Sequence, residues 1–169
     1  MNVKKALENY YEIECRDKNG NLKWVEKFTN LVTTEGLNDS LDKHLKGSNY
    51  TAAWYIGLTG ATPVFAAGDT MASHAGWTEV TDYDEESRQI IVFGTVSGGA
   101  VDNSLNQVIF TINEDNTGIG GAFIVSNNTK SGTSGILYGG GAFDGGNKTL
   151  GDGDTIKVKV MCTAAQAAD

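Results

Sequence analysis

Two periods of apolar residues run through this chain, and they predict different elements. In "YYEIECRDKNGNLKWVEKF", Tyr11, Ile13 and Cys15 alternate with Glu12, Glu14 and Arg16, the period-two pattern of a half-buried strand. Leu22, Trp24 and Phe28 resume it after Asn19-Gly20, the pair best suited to the positive φ angles of a two-residue type I′ turn. A β-hairpin is therefore predicted near the N-terminus. In "TTEGLNDSLDKHLKG" the period lengthens: Leu37, Leu41 and Leu45 recur every four residues, an apolar stripe on a short helix near 34–46. Thr33 or Thr34 can cap its start, Glu35 suits the positive end of the dipole, and Lys43, His44 and Lys46 suit the negative end before Gly47.

From Tyr50 onward the pattern reads as strand and turn. "AAWYIGL" and "RQIIVFGTV" are compact apolar runs rich in β-formers. "QVIFTIN" alternates Val108, Phe110 and Ile112, and "GIGGAFIV" places Ile119, Phe123 and Val125 on one predicted face. "ILY" is short, and "TIKVKVMCT" sets Ile156, Val158, Val160 and Cys162 against lysines. Eight or nine short strands separated by turns predict an all-β fold, an antiparallel sandwich or barrel with one helix. The organisation expected is a hairpin arm over 1–29, a sandwich over 30–163, and a frayed tail over 164–169.

Composition sharpens this picture. The 169 residues suit one domain, and 22 glycines against the single Pro63 fit a turn-rich β protein. A net charge of −8 opposes non-specific nucleic-acid binding and docking on anionic membranes. No apolar run reaches the roughly 20 residues of a membrane span, and "MNVKKALENYYEIECRDKNG" lacks the apolar core of a signal peptide. Synthesis and folding in a cytosol are expected, with Cys15 and Cys162 as buried free thiols.

Candidate chemistry is sparse. Asp69, Thr70, Ser73, His74 and Glu79 crowd "AAGDTMASHAGWTEV", but adjacent Ser73 and His74 point to opposite faces of an extended strand, and no G-x-S-x-G elbow frames a serine. His44 and His74 belong to unrelated segments and neither cysteine has a near partner, so no zinc set emerges. That stretch reads as a loop, with Trp77 as a core anchor. Asp152 and Asp154 around Gly153 make a turn, with weak adventitious calcium binding as the residual reading, because the other ligands of a calcium loop are missing. "YGGGAFDGGNKT" lacks the Gly-Lys-Ser/Thr and the following helix of a phosphate loop. It reads as a long glycine-rich loop. There Tyr138, Phe143 and Asp144 either contact a protein partner or, for the two aromatics, cover the sandwich end. "DYDEESR" reads as a solvated acidic loop, and glycoside hydrolysis through carboxylates such as Asp82 and Glu85 is the enzymatic alternative. No catalytic residue, metal or cofactor is assigned.

The order of segments carries one resemblance. "FTNLVTTEGLNDSLDKHLKG", "YTAAWYIGLTG", "AAGDTMASHAGWTEVTDY", "GAFIVSNNTKSGTSGILYGGGAF" and "LGDGDTIKVKV" together resemble a family of small structural proteins of tailed bacteriophages, over about residues 28 to 163. The hairpin from Tyr10 to Phe28 resembles an N-terminal extension of some members. The resemblance implies a jelly-roll-like β-sandwich and a non-enzymatic capsid decoration or cement protein. Such a protein sits on the outer surface of the virion head as a dimer or trimer, with the major capsid protein of the same phage as partner. A tail- or fibre-associated module recognising a host glycan or protein is the alternative it leaves open.

Overall fold

The structure is a computed structural model that describes residues 7–50 and 53–164. Its elements, in chain order, are β1 (Leu7–Arg16), β2 (Leu22–Thr29), β3 (Leu31–Val32), α1 (Thr34–His44), β4 (Tyr55–Thr59), β5 (Glu79–Val80) and β6 (Gln89–Ile90). They continue with β7 (Ala100–Asp102), β8 (Val108–Thr111), β9 (Thr117–Ile119), β10 (Gly121–Val125), β11 (Leu137–Ala142), β12 (Lys148–Leu150) and β13 (Thr155–Ala164). Every strand pair is antiparallel. The first sheet runs β2-β1-β13, with β7 and β8 both on the far edge of β13; the second runs β3-β11-β10-β4-β5, with β6 also on β4. The fold is an all-β sandwich with one helix among the described residues.

The inner faces meet in one core. Tyr11, Ile13, Cys15, Ile156, Val158 and Val160 come from the first sheet, and Ile56, Leu58, Ala122 and Ile124 from the second. Strict alternation put the right residues inside in β1, β8 and β13; polar neighbours on the outer face reach water in β1 and β13, and Ile109 does so in β8. In the second sheet β10 is buried on both faces. Its outward Phe123 and Val125 pack with Met71, Trp77 and Leu137 in a second cluster. Trp77, only 5% exposed, accounts on area alone for roughly 4–5 kcal/mol, which holds the preceding loop against the sheet.

Several expectations change. The hairpin is real but is no separate arm: β1 lies between β2 and β13 and pairs with β13 from Leu7↔Ala164 to Arg16↔Thr155. An ordered central strand buries Tyr11 and Ile13, which an appended arm cannot do. Its turn is a three-residue loop and not type I′. Gly20 alone takes positive φ (85°), Gly20 N–H donates to Asp17 O at 2.8 Å, and the Asp17 carboxylate accepts from the amides of Asn19 and Asn21. Within the expected tail, Ala164 ends β13, and residues 165–169 lie outside the described residues.

"GIGGAFIV" is broken at Gly120 into β9 and β10, so Ile119 joins the main core while Phe123 and Val125 face the other way. "YGGGA" is strand, not loop. At Gly140 a Cβ would lie 2.1 Å from the Phe65 ring, and at Gly141 it would lie 2.6 Å from Thr29 O. The glycines let neighbouring groups close on the sheet. "RQIIVFGTV" yields only the two-residue β6, after which Val92 and Val96 are exposed.

The helix departs most. Its cap is as predicted, with Thr33 Oγ1 accepting from Gly36 N–H at 3.1 Å. Its leucine stripe, however, faces outward: Leu37, Leu41 and Leu45 are 41%, 57% and 79% exposed. Gly36 is buried, and Lys43 and Asp39, joined by an ion pair at 3.8 Å, show only 18% and 9% side-chain exposure. Residues 36, 40 and 43 share one face at helical spacing, and that face meets the sandwich. A Cβ on Gly36 would stand 2.4 Å from Tyr138 O, so glycine sets how closely the helix approaches β11.

Candidate functional site

In "AAGDTMASHAGWTEV" Asp69, Thr70 and His74 are engaged by their own loop. The Asp69 carboxylate accepts from Trp77 Nε1 at 3.1 Å and from Ala66 N–H at 3.0 Å. Ser73 N–H donates to Thr70 Oγ1 at 3.1 Å, and His74 Nδ1 lies 3.2 Å from Trp77 O. The imidazole stacks on the Trp77 indole at 3.8 Å between centroids, with Phe65 at 5.1 Å and Phe123 at 4.8 Å from that indole. Asp69 thus orients the tryptophan and not the histidine. The serine–histidine–aspartate order does not form a proton relay.

Glu79 belongs elsewhere, and so does half of the acidic run. Its carboxylate receives Arg88 Nε at 2.8 Å and Nη2 at 2.7 Å, a bidentate pair with side chains 7% and 0% exposed. Arg88 also donates to Asn127 O and Gly132 O, both at 3.0 Å, and Ser131 N–H donates to Glu79 at 2.8 Å. Its guanidinium lies 5.3 Å from the Phe123 ring centroid. This pair therefore holds the loop between β10 and β11. Tyr83 is buried as well, with Lys130 Nζ over its ring at 3.8 Å, and the Glu85 carboxylate accepts from Thr111 N–H at 3.1 Å. Asp82 stays exposed, and nothing brings it together with Glu85 around a cleft.

Asp152 and Asp154 serve the turn before β13. Asp154 Oδ2 accepts from Gly151 N–H at 2.8 Å and pairs with Lys23, while Asp152 N–H donates to Asp115 at 3.0 Å. Among the described residues no cluster of three or more His, Cys, Asp or Glu could hold a metal ion. No described helix is long and apolar enough to cross a membrane.

The cysteines are free and far apart. Cys15 faces Ile156 on β13 and Cys162 faces Asn9 on β1, six positions along the ladder or about 20 Å. Burial pushes both thiols up to about 12, so neither is an activated nucleophile at neutral pH.

The expected partner contacts are placed differently from a protruding loop. Phe143 is 5% exposed and packs on Phe28 at 5.4 Å and Trp24 at 5.7 Å. Tyr138 is half-buried against Trp54 at 5.2 Å, and burial pushes its hydroxyl above the ordinary range. The covering role describes both aromatics. Only Asp144 stands exposed, in the turn between β11 and β12.

Exposed apolar side chains lie elsewhere: Tyr10, Leu22 and Val25 on β1 and β2, Tyr50 and Val64 singly, and two further groups. One is the outer face of α1. The other follows the chain from β6 to β8: Ile90 at 50%, Val92 at 48%, Val96 at 71%, Leu105 at 88% and Ile109 at 46% exposed. In the run "IIVF" Ile91 is buried and Phe93 packs against the core, while Ile90 and Val92 point outward. Compared with protein-family models and with curated proteins, the chain matches none.

Proposed function

We propose that the chain is a virion protein of a tailed bacteriophage that binds the outer surface of the head and ties neighbouring major capsid proteins together. The reading rests on the ordered set of segments from Phe28 onward that resembles small phage structural proteins. The observation that carries it is the set of exposed apolar side chains Ile90, Val92, Val96, Leu105 and Ile109, between β6 and β8 of a two-sheet body. Large apolar groups on a well-packed scaffold mark an interaction surface, and affinity then comes from the interface and not from a reactive group. Repetition over a shell lattice multiplies a weak contact through effective concentration. The net charge of −8 suits the outside of a shell packed with DNA.

The test is co-sedimentation of purified protein with expanded and unexpanded shells of the cognate capsid protein. Saturable binding to expanded shells is expected, lowered at least about tenfold in Val96→Asp/Leu105→Asp, since about 1.4 kcal/mol of lost contact suffices. No binding to either shell overturns the proposal. Labelling of susceptible host cells in its place transfers the protein to the tail or fibre.

A further inference from the structure

We infer that the recess between α1 and the sandwich is a binding site for a free aromatic α-amino acid, held as its zwitterion. A cavity of about 380 Å³ opens there, lined by Trp54, Phe93, Tyr138 and Ile124 from the sandwich and by Asp39 and Lys43 from α1. Its size falls among small-molecule sites, about 300–1,000 Å³, and so does its character, an apolar and aromatic wall with a few polar groups.

The helix supplies a second observation. A helix on the surface of a domain ordinarily turns its leucines to the core and its charges to water. Here Leu37, Leu41 and Leu45 stand in solvent, while the side chains of Asp39 and Lys43 are only 9% and 18% exposed. Withdrawing charges from water is costly unless close pairing and direct hydrogen bonds compensate. Lys43 Nζ lies 3.8 Å from Asp39 Oδ1, longer than a hydrogen bond, so this pair compensates poorly. Local rules are broken in this way at functional sites.

The two charges and the rings select the ligand. An α-amino acid carries its ammonium and carboxylate on one carbon, close enough together to lie across the pair, with the carboxylate on Lys43 and the ammonium on Asp39. A carboxylate has about four acceptor positions and an ammonium three donors, so each can serve the ligand beside its other partners. A simple anion or a simple cation would meet one like charge and is disfavoured. The ligand's ring enters among Trp54, Phe93 and Tyr138. Trp54 and Tyr138 meet edge to face at 5.2 Å between centroids, and a further ring adds contacts of the same kind. Asp39, Lys43 and Trp54 lie outside the surface assigned to capsid binding, so either reading can fail alone.

The test is calorimetric titration of the unmodified protein with L-phenylalanine, phenethylamine, hydrocinnamate and L-alanine, with NMR shifts locating the site. L-Phenylalanine is expected to bind saturably and to move the Trp54 indole and the Asp39 and Lys43 amides. Each of the other three, lacking carboxylate, ammonium or ring, is expected to bind at least tenfold more weakly. Lys43→Met should lower the affinity for L-phenylalanine to that for phenethylamine, and Asp39→Asn to that for hydrocinnamate, a crossed pattern that general loss of structure does not produce. No saturable binding of L-phenylalanine up to its solubility limit, equal affinity for any of the other three, or shifts confined to other residues overturns the inference.

Discussion

Replacing Arg88 by Met removes the one guanidinium on which three pieces of chain depend. Its side chain is fully buried and makes four hydrogen bonds: two to Glu79, one to Asn127 O and one to Gly132 O. Met fills much of the same volume, so the cost is electrostatic and not a cavity. The Glu79 carboxylate, 7% exposed, would keep only the Ser131 amide as donor. Breaking a buried pair on one side costs about 3–5 kcal/mol. Each orphaned carbonyl adds about 1 kcal/mol, and the terms overlap, so about 5 kcal/mol is expected in total. That is a large share of a domain's usual stability of roughly 5–15 kcal/mol. The assay is urea unfolding of the unmodified protein, Arg88→Met, Glu79→Leu and the double variant, compared at constant m-value. The double variant is expected to be more stable than the two single losses summed, by at least about 2 kcal/mol, because it leaves no unpaired charge. A loss below about 1 kcal/mol in Arg88→Met, or strict additivity, would refute the reasoning.

Gly36→Ala should destabilise by about 1–3 kcal/mol even though alanine is the better helix former by about 1 kcal/mol, because its Cβ meets Tyr138 O at 2.4 Å; thermal unfolding checks the sign. Asn103→Ala should cost about 2–3 kcal/mol. Its amide accepts from Val160 N–H at 2.7 Å and donates to Val158 O at 3.2 Å, standing in for a strand between β7 and β8, so faster exchange of the Val160 amide is the specific readout. Cys15 and Cys162 should resist alkylation at pH 8 until the protein is unfolded. Their folded pKa values, raised by burial from 9 to about 12, make the contribution to stability full below pH 9 and progressively lost as pH rises from 9 to about 12. Unfolding midpoints across that window should fall, and rapid labelling of the native protein at pH 8 contradicts the assignment.

The sequence made the sandwich legible in most strands with one face in water, though not in β2, where Leu22 is exposed and Glu26 buried. In β1, β8 and β13 alternation alone identified the buried set, down to Ile13, Phe110 and Val158. It was silent where both faces are covered: β10 has no polar face to set its register, and a break at Gly120 is invisible to periodicity. The helix was legible in extent but not in orientation. A stripe of leucines defines a face without saying what it meets, whereas the glycine opposite it at position 36 is the residue that permits contact. The acidic run misled because short-range composition cannot show that Arg88, at its end, finds Glu79 nine residues back and two carbonyls some forty residues ahead. Tyr138 and Phe143 were legible as aromatics near glycines, but those glycines admit neighbouring groups and do not loosen a loop.

The most direct measurement of the functional proposal is a cryo-electron microscopy reconstruction of the virion that carries this chain. The expected result is density for the sandwich on the outer face of the head, at symmetry-related positions, with Ile90–Ile109 turned towards the capsid protein. Density for the chain confined to the tail, or a particle without it, contradicts the proposal.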